Sequence, residues 1–558
     1  MDNKSWLSAY PQGTPSEIDP TAYSSLTAIF EESCRRFATR PAYHNLGVTL
    51  TYGEVERLSR QFAAYLCALG LAKGDRVALM MPNLLQYPVA MFAALRAGLS
   101  VVNTNPLYTA RELRHQLRDS GVRCIVVLEN FVHVLAEVRA DTKVEHIIIT
   151  RVGDLASLPK RAVVNFAVRY IKRMVRRYEL PDATWFRDAL AHGARSEFRA
   201  PAVGAHDIAF LQYTGGTTGV AKGAILTHRN MVANLLQVAV FWKNVIEPGR
   251  EVVITALPLY HIFCLTCNCL VFMQHGGLNV LITNPRDIPA FVSELRKWRF
   301  TIITGVNTLY NALLNHPKFA RLDFSGLKLG AAGGMALQPT VAERWEAATH
   351  RPLVEGYGLT EASPVVACNP YDRPRIGTVG VPLPSTEVSV REDDVELPFG
   401  REGELCVRGP QVMHAYWNRP DEAAKTLTPD GWLRTGDIAA IDSAGFVHIV
   451  DRKKDMIIVS GFKVFPNEIE SIVAEHPGVL ECGCIGVADA HSGQAVKIFV
   501  VTRGGASVSS EDLLEHCRRH LTRYKVPRYV EFRGSLPKTN IGKILRRELE
   551  QQETAHLA

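Results

Sequence analysis

The sequence predicts an α/β fold: a large N-terminal domain of parallel or mixed sheets with flanking helices, followed by a small α+β domain. Apolar, strand-like runs alternate with amphipathic, helix-like segments from about Ser25 to His448, the pattern of parallel sheets covered by helices. From about Asp455 the pattern changes to short strands with two further helices. At 558 residues the chain also exceeds the size, about 250–300 residues, at which a single core stops growing, so at least two domains are expected.

In chain order, YGEVERLSRQFAAYLCALG from Tyr52 reads as a helix, and RVALMM from Arg76, CIVVLE from Cys124 and HIIIT from His146 read as strands. IAFLQY (Ile208 to Tyr213), VVITALPL from Val252 and TIITGV from Thr301 continue the strand series. After DRKKD (Asp451 to Asp455), the runs IIVSG, CGCIGVA and VKIFVVT read as strands, and NEIESIVAEH and SEDLLEHCRRHL as helices. The expected division is residues 1–450, a connecting segment 451–455, and 456–558.

A hydrophobic fraction of 47% and a charged fraction of 21% describe an ordinary globular protein. The 63 basic against 56 acidic residues leave +7, too mild at this length to argue for nucleic acid. Eleven cysteines are sparse, and the N-terminus MDNKSWLSAY lacks a basic patch followed by an apolar stretch, so a reduced, cytoplasmic setting is expected. The window Pro88 to Val102 is too short for a membrane span and is broken by Arg96, so any membrane contact is expected to be peripheral. Cys264, Cys267 and Cys269 crowd together without a second pair nearby, which reads as small buried hydrophobes rather than a metal site.

The segment Tyr213 to Gly223, YTGGTTGVAKG, concentrates glycine, threonine and one lysine where a strand ends. Glycine lets backbone amides face an anion, threonine hydroxyls donate further hydrogen bonds, and Lys222 adds a full charge, which together suit a polyphosphate. A plain turn is the alternative reading. The Walker scheme is excluded, because it ends in Gly-Lys followed by Ser or Thr, whereas Lys222 precedes Gly223 and the chain's other candidate, Gly542-Lys543, precedes Ile544.

Read with AILTHRN after it, this loop closely resembles that of the acyl-adenylate-forming enzymes, the family of acyl-CoA ligases, luciferases and peptide-synthetase adenylation domains. PLYHI (Pro258 to Ile262), GAAGGMAL (Gly330 to Leu337) and EGYGLTEASP (Glu355 to Pro364) follow in the family's order. GELCVRGPQVMHAYW, DGWLRTGDIA, DRKKDMIIVSGFKVFPNEIE and PKTNIGKILRREL complete the series. DGWLRTGDIAAIDSAGFVHIVDRKKD resembles the fatty-acyl-CoA synthetase signature, and the whole pattern looks most like the bacterial long-chain fatty acid:CoA ligases.

The resemblance implies a small barrel-like subdomain beside the sheets of the large domain, a mobile C-terminal lid, and a two-step reaction: a fatty acid and ATP give an acyl adenylate, then CoA gives acyl-CoA and AMP. It implies ATP and CoA as co-substrates with Mg2+, a long-chain fatty acid activated for fatty acid degradation or for turnover of a fatty acid signal, and homodimers as one form. By this resemblance Tyr213, Thr214, Gly215, Gly216, Thr217, Thr218, Gly219 and Lys222 hold the phosphates. Gly333, Gly334, Gly356, Tyr357, Gly358, Leu359 and Thr360 face adenine and phosphate, with Tyr357 stacked on the base. Thr217 and Glu361 hold the metal, a donor set that suits Mg2+, which takes few carboxylates. Asp437 accepts hydrogen bonds from the ribose hydroxyls, Arg452 is a second nucleotide contact, and Lys543 bridges the carboxylate and α-phosphate. Lys454 matches the hinge position in 451–455; His261 lines the acyl pocket near the thiol path, and Gly461 borders the CoA tunnel. Ser460-Gly461 stands where many relatives have Gly-Gly, and Lys463 where many have Asn, which leaves the CoA contacts open.

Between Pro159 and Glu179 lies KRAVVNFAVRYIKRMVRRY, which resembles an insertion of the bacterial long-chain enzymes. Residues 160–177 hold seven Lys or Arg and no acid, while Val164, Ala167, Val168, Ile171, Met174 and Val175 share one helical face. Two readings are open: a helix lying on an anionic membrane, or one packed on its own domain. Alternative functions are a CoA ligase for medium-chain, branched or aryl acids, and a non-catalytic fatty acid carrier; intact Lys543, Glu361 and Asp437 speak against the carrier.

Overall fold

The computed structural model describes residues 4–214, 221–489, 491–504, 506–539 and 541–557. One sheet has seven strands in the spatial order Thr184–Trp185, His146–Thr150, Cys124–Leu128, Arg76–Met80, Ser100–Asn103, Ile208–Thr214 and Lys222–Thr227. All neighbours are parallel except the last pair. Because both faces are covered, the strands are apolar without alternation, which is why the runs were legible as strands.

A second sheet has nine strands: Val381–Pro382, Val365–Cys368, Leu353–Gly358, Leu329–Ala332, Ile302–Gly305, Val252–Thr255, Leu278–Leu281, Pro41–Asn45 and Val48–Thr51. Its centre is parallel and both edges are antiparallel. The helices Leu26–Arg36, Tyr52–Ala68, Gln86–Arg96 and His228–Phe241 share one buried cluster with residues of both sheets. Tyr52–Ala68 starts at a reciprocal cap between Thr51 and Glu54, and His228–Phe241 at one between Thr227 and Asn230.

The expected alternation stops before His448. Val395–Glu396, Glu387–Glu392, Gly403–Arg408, Leu433–Ile441 and Val447–Arg452 form a five-stranded sheet that is antiparallel throughout. Turns such as Asp393-Asp394 are too short to carry a crossover helix, so neighbouring strands reverse direction.

The small C-terminal domain pairs Phe462–Val464, Ile457–Val459, Gly493–Thr502 and Val479–Asp489 in that order, with Tyr529–Phe532 parallel to Gly493–Thr502. Helices Pro466–Glu475 and Ser510–His520 cover it around a core containing Val464, Ile469, Cys484, Ile498 and Leu513. Cys264, Cys267 and Cys269 are buried in the large domain; Cys264 Sγ donates to the Leu257 carbonyl at 2.8 Å.

The basic insertion is shorter as a helix than its sequence predicts. Leu158–Phe166 is α-helical, Ala167–Ile171 is one π-helical turn, and Arg173 turns the chain at φ 49°. Val164, Ala167, Val168 and Val175 are half-buried against the domain, whereas Phe166 is 57%, Tyr170 61% and Ile171 70% exposed, with Val163 and Met174 exposed as well. The apolar residues therefore divide between an inward and an outward face. Arg169 at 2.7 Å and Tyr178 at 3.0 Å both bind the buried carboxylate of Glu129, which pins the segment's far end. Among the described residues no helix is long and apolar enough to cross a membrane.

Candidate active site

The loop read as a phosphate cradle joins the two antiparallel strands Ile208–Thr214 and Lys222–Thr227, with Thr214 opposite Lys222. Gly215, Gly216, Thr217, Thr218 and Gly219 lie outside the described residues, so the roles assigned to them have no structural description. The base of this hairpin is held from two sides. Tyr213 donates its phenol proton to Asp119 at 2.6 Å, and Asp119 also accepts from Arg419 at 2.9 Å. Burial and the Asp119 anion push the Tyr213 phenol well above its ordinary pKa, so it remains a donor. On the other strand, Ile225 donates to the Ala415 carbonyl at 2.9 Å and Trp417 to that of Gly223 at 2.8 Å, so 415–417 runs along the hairpin edge. Lys222 pairs with Glu422, and its ammonium stands 5.5 Å from the Tyr416 ring centre.

Gly356, Tyr357 and Gly358 end a strand of the nine-stranded sheet, Leu359 follows, and Thr360 and Glu361 sit in a 3-10 turn. At Gly358 a methyl group would overlap the Pro364 carbonyl oxygen, so the turn requires glycine. Tyr416 donates to Glu361 Oε1 at 2.6 Å; among the described residues it is the one hydrogen-bond donor to this half-buried carboxylate. Gly333 and Gly334 follow the neighbouring strand Leu329–Ala332. These segments occupy the carboxyl ends of parallel strands, where open α/β sheets bind ligands.

Asp437 is only 4% exposed and opposes Arg452 in the antiparallel sheet. One of its oxygens accepts from the Tyr357 hydroxyl at 2.5 Å, and the other lies 3.2 Å from Arg452 Nε. The hydroxyl contact of Tyr357 is additional to the base stacking inferred for its ring. Burial, then the Asp437 anion, pushes the Tyr357 phenol far up. The charge of Arg452 is held by Asp437 and, further off, by Glu361.

Lys543 reaches this cluster from the small domain. Burial, then the repulsion of Arg452, lowers its ammonium to about 8, against an opposing pull from Asp437. Lys222, Tyr416 and Glu361 are thus joined contact by contact, as are Arg452, Asp437 and Tyr357, and Lys543 feels the charges of Arg452 and Asp437. Three other residues stand apart. Lys454 is exposed in the turn after Val447–Arg452 and pairs with Asp455 at 3.0 Å. Gly461 is exposed at the tip of the hairpin between Ile457–Val459 and Phe462–Val464. His261 caps Ile262–Cys264, its Nδ1 accepting from the Phe263 amide at 3.4 Å. Burial lowers the His261 imidazole to about 4, which suits positioning rather than proton transfer near neutral pH.

Residues 30–417 match the family model described as AMP-binding enzyme, and residues 468–543 match the AMP-binding enzyme C-terminal domain. The chain belongs to the AMP-binding enzyme family. A long-chain-fatty-acid–CoA ligase of Escherichia coli O6:H1 is 59% identical over 98% of each chain, and one of Bacillus subtilis is 38% identical over 99% of each. A feruloyl-CoA synthase of an Amycolatopsis species is 34% identical over 91% of this chain and 94% of its own. Among solved structures, ATP-bound MatB from Rhodopseudomonas palustris superposes with a TM-score of 0.81 at 29% identity, covering 95% of this chain and 99% of that one.

Within this AMP-binding fold, several site contacts were not assigned from the sequence. Asp119, Tyr416 and Glu422 support the phosphate hairpin and Glu361, but each binds across more than 50 residues, and no local pattern marks them. Glu355 opens the quoted EGYGLTEASP run yet received no role. It is buried, and its Oε1 accepts from the Leu337 amide at 3.0 Å, which fixes the loop carrying Gly333 and Gly334. Burial pushes its carboxyl up to about 8, so it is largely neutral at pH 7. The folded pKa lies above the unfolded one, so folding takes up a proton between roughly pH 4.5 and 8 and stability falls as pH rises through that window. Thermal melts of wild type and Glu355→Gln across pH 5 to 8 are expected to show the wild type losing stability relative to the variant; parallel curves would refute the assignment.

Proposed function

We propose that this chain activates long-chain fatty acids to acyl-CoA, with ATP giving AMP and pyrophosphate. The observation that carries the reading is identity of 58–59% over nearly the full length to long-chain-fatty-acid–CoA ligases, against 34% to an aryl-acid enzyme. In the first step a carboxylate oxygen of the fatty acid forms a bond to the α-phosphorus of ATP, and the bond to pyrophosphate breaks. In the second, the CoA thiol loses its proton, sulfur bonds to the acyl carbon, and AMP leaves.

Repulsion between a carboxylate and the triphosphate dominates the first barrier, so positive charge and positioning supply the catalysis. Lys222 and the hairpin take the phosphate tail, which requires Lys222 to exchange Glu422 for phosphate oxygens. Asp437 takes the ribose hydroxyls, and Arg452 sits beside it. Lys543, as a cation, bridges the carboxylate and the α-phosphate. Glu361 fits Mg2+, being a half-buried carboxylate with one oxygen steadied by Tyr416; it and Thr217 would hold the ion, which offsets phosphate charge.

Residues 451–455 are the proposed hinge, with Lys454 at its centre, between 1–450 and the lid 456–558. Turning about it withdraws Lys543 and carries the Gly461 hairpin to the CoA path. The exposure of Ile458, Gly461 and Phe462 supports this, because an apolar hairpin tip facing solvent suits a surface that docks in another state.

Pyrophosphate release and thioester formation with oleate, octanoate and benzoate are expected to favour oleate and to need CoA for the thioester. No turnover with any acid would sink the ligase reading, and a preference for benzoate would move it to aryl acids. Lys543→Ala should lower adenylation by about 100-fold or more, a loss typical of an electrostatic group, while a supplied acyl adenylate still reacts with CoA.

The outward face of 158–174 is proposed to rest on an anionic lipid surface. Val163, Phe166, Tyr170 and Ile171 offer the apolar contact, and the basic residues of 160–177 other than Arg169 and Lys160, which are bonded to Glu129 and Gly47, supply charge complementarity, each worth roughly 1 kcal/mol near such a surface. Cosedimentation with phosphatidylglycerol vesicles should drop several-fold for Phe166→Ser/Ile171→Ser and at high salt. Equal binding by variant and wild type would refute it.

A further inference from the structure

The loop that carries Lys543 is braced within itself. Thr539 donates its amide to the Lys543 carbonyl at 2.7 Å, Lys543 donates its amide to Thr539 Oγ1 at 3.0 Å, and Gly542 donates to the Thr539 carbonyl at 3.0 Å. The position of the Lys543 ammonium is therefore set by where this whole loop docks. It docks on the helix Asn307–Leu314 of the large domain. Thr308 Oγ1 donates to the Gly542 carbonyl at 3.1 Å, one residue before Lys543. Asn311 Nδ2 donates to the Leu480 carbonyl at 3.3 Å, and Asn315, just past the helix, accepts from Arg503 at 3.0 Å. Positions 308, 311 and 315 are spaced three and four apart, so one helical stripe meets the small domain at three points. Arg344 holds the two asparagines in place, donating to Asn311 Oδ1 at 3.1 Å and to Asn315 Oδ1 at 2.9 Å. Gly542 has φ 93°, and a Cβ there would stand 2.5 Å from Thr308 Oγ1, so glycine is needed for the approach.

We propose that Thr308 is a positioning residue for adenylation, and that the stripe Thr308, Asn311 and Asn315 is a reversible latch holding the small domain in the adenylating pose. The contacts are single, neutral or singly charged hydrogen bonds, with Thr308 half-buried, Asn311 buried and Asn315 exposed in the docked pose, and water replaces each of them on release. Such bonds have a small net worth, so the latch biases the docked pose without trapping it. The inference rests on Lys543 being the adenylating lysine.

The test separates the two half-reactions: oleate-dependent pyrophosphate release without CoA, and conversion of supplied oleoyl adenylate by CoA. Thr308→Val, which keeps the shape and loses the donor, is expected to lower adenylation about 5- to 10-fold, the worth of one hydrogen bond, and to leave the thioester step at the wild-type rate. Thr308→Ser should restore adenylation. Gly542→Ala, which pushes on the same contact from the other side, should show the same split with a larger loss. Wild-type adenylation in Thr308→Val, or equal loss in both half-reactions, would overturn the latch. Lys543→Ala serves as reference: if it loses adenylation while Thr308→Val does not, the latch alone falls, and if it retains adenylation, the role of the lysine falls and the latch with it.

Discussion

A carboxylate at 4% exposure survives only where partners replace its water, and Asp437 has them: the Tyr357 hydroxyl and Arg452. Tyr357 comes from the nine-stranded sheet, Asp437 and Arg452 from the antiparallel sheet, and Lys543 arrives from the small domain. Three folding units thus converge on one buried charge. The arrangement also explains the depressed pKa of Lys543, since burial and then the Arg452 guanidinium disfavour its charge. A nucleotide bringing negative charge would reverse that penalty, so the lysine's affinity for the site depends on the substrate being there.

The hairpin proposed for the phosphates is built on a related principle: its base is held through Tyr213 on Asp119 and through the edge segment 415–417 on Gly223 and Ile225. The same edge segment presents Tyr416 to Glu361, so the carboxylate proposed for the metal and the loop proposed for the phosphates share one support. Displacement of that segment would disturb both at once. Lys222 is meanwhile paired with Glu422, a partner that phosphate oxygens of higher charge would be able to outcompete.

The chain's departures from its expected pattern have local causes. Antiparallel order replaces alternation after Glu387, with short turns at 393–394 and 442–446, while the connection 409–432 carries the helix Pro420–Thr426. The basic insertion loses its last helical turns at Arg173, and its apolar residues serve two faces rather than one, because Val164 and Val168 are used for packing while Phe166, Tyr170 and Ile171 are left outside. Of the six residues read as one apolar face, Val164, Ala167, Val168 and Val175 pack against the domain, and Ile171 and Met174 are exposed.

The sequence by itself determined the fold class, six strands of the parallel sheets and the family. Buried parallel strands are continuous apolar runs, and the chemistry of phosphate and carboxylate demands residue types that stand together in short motifs such as YTGGTTGVAKG and EGYGLTEASP. Tertiary structure alone decided what supports those motifs. The partners Asp119 for Tyr213, Tyr416 for Glu361 and Thr308 for the Lys543 loop lie 94, 55 and 234 residues away from the groups they hold. A hydrogen bond needs a donor and an acceptor about 3 Å apart, a distance that neither residue's sequence neighbours encode, so these contacts exist only once the sheets and the small domain have packed.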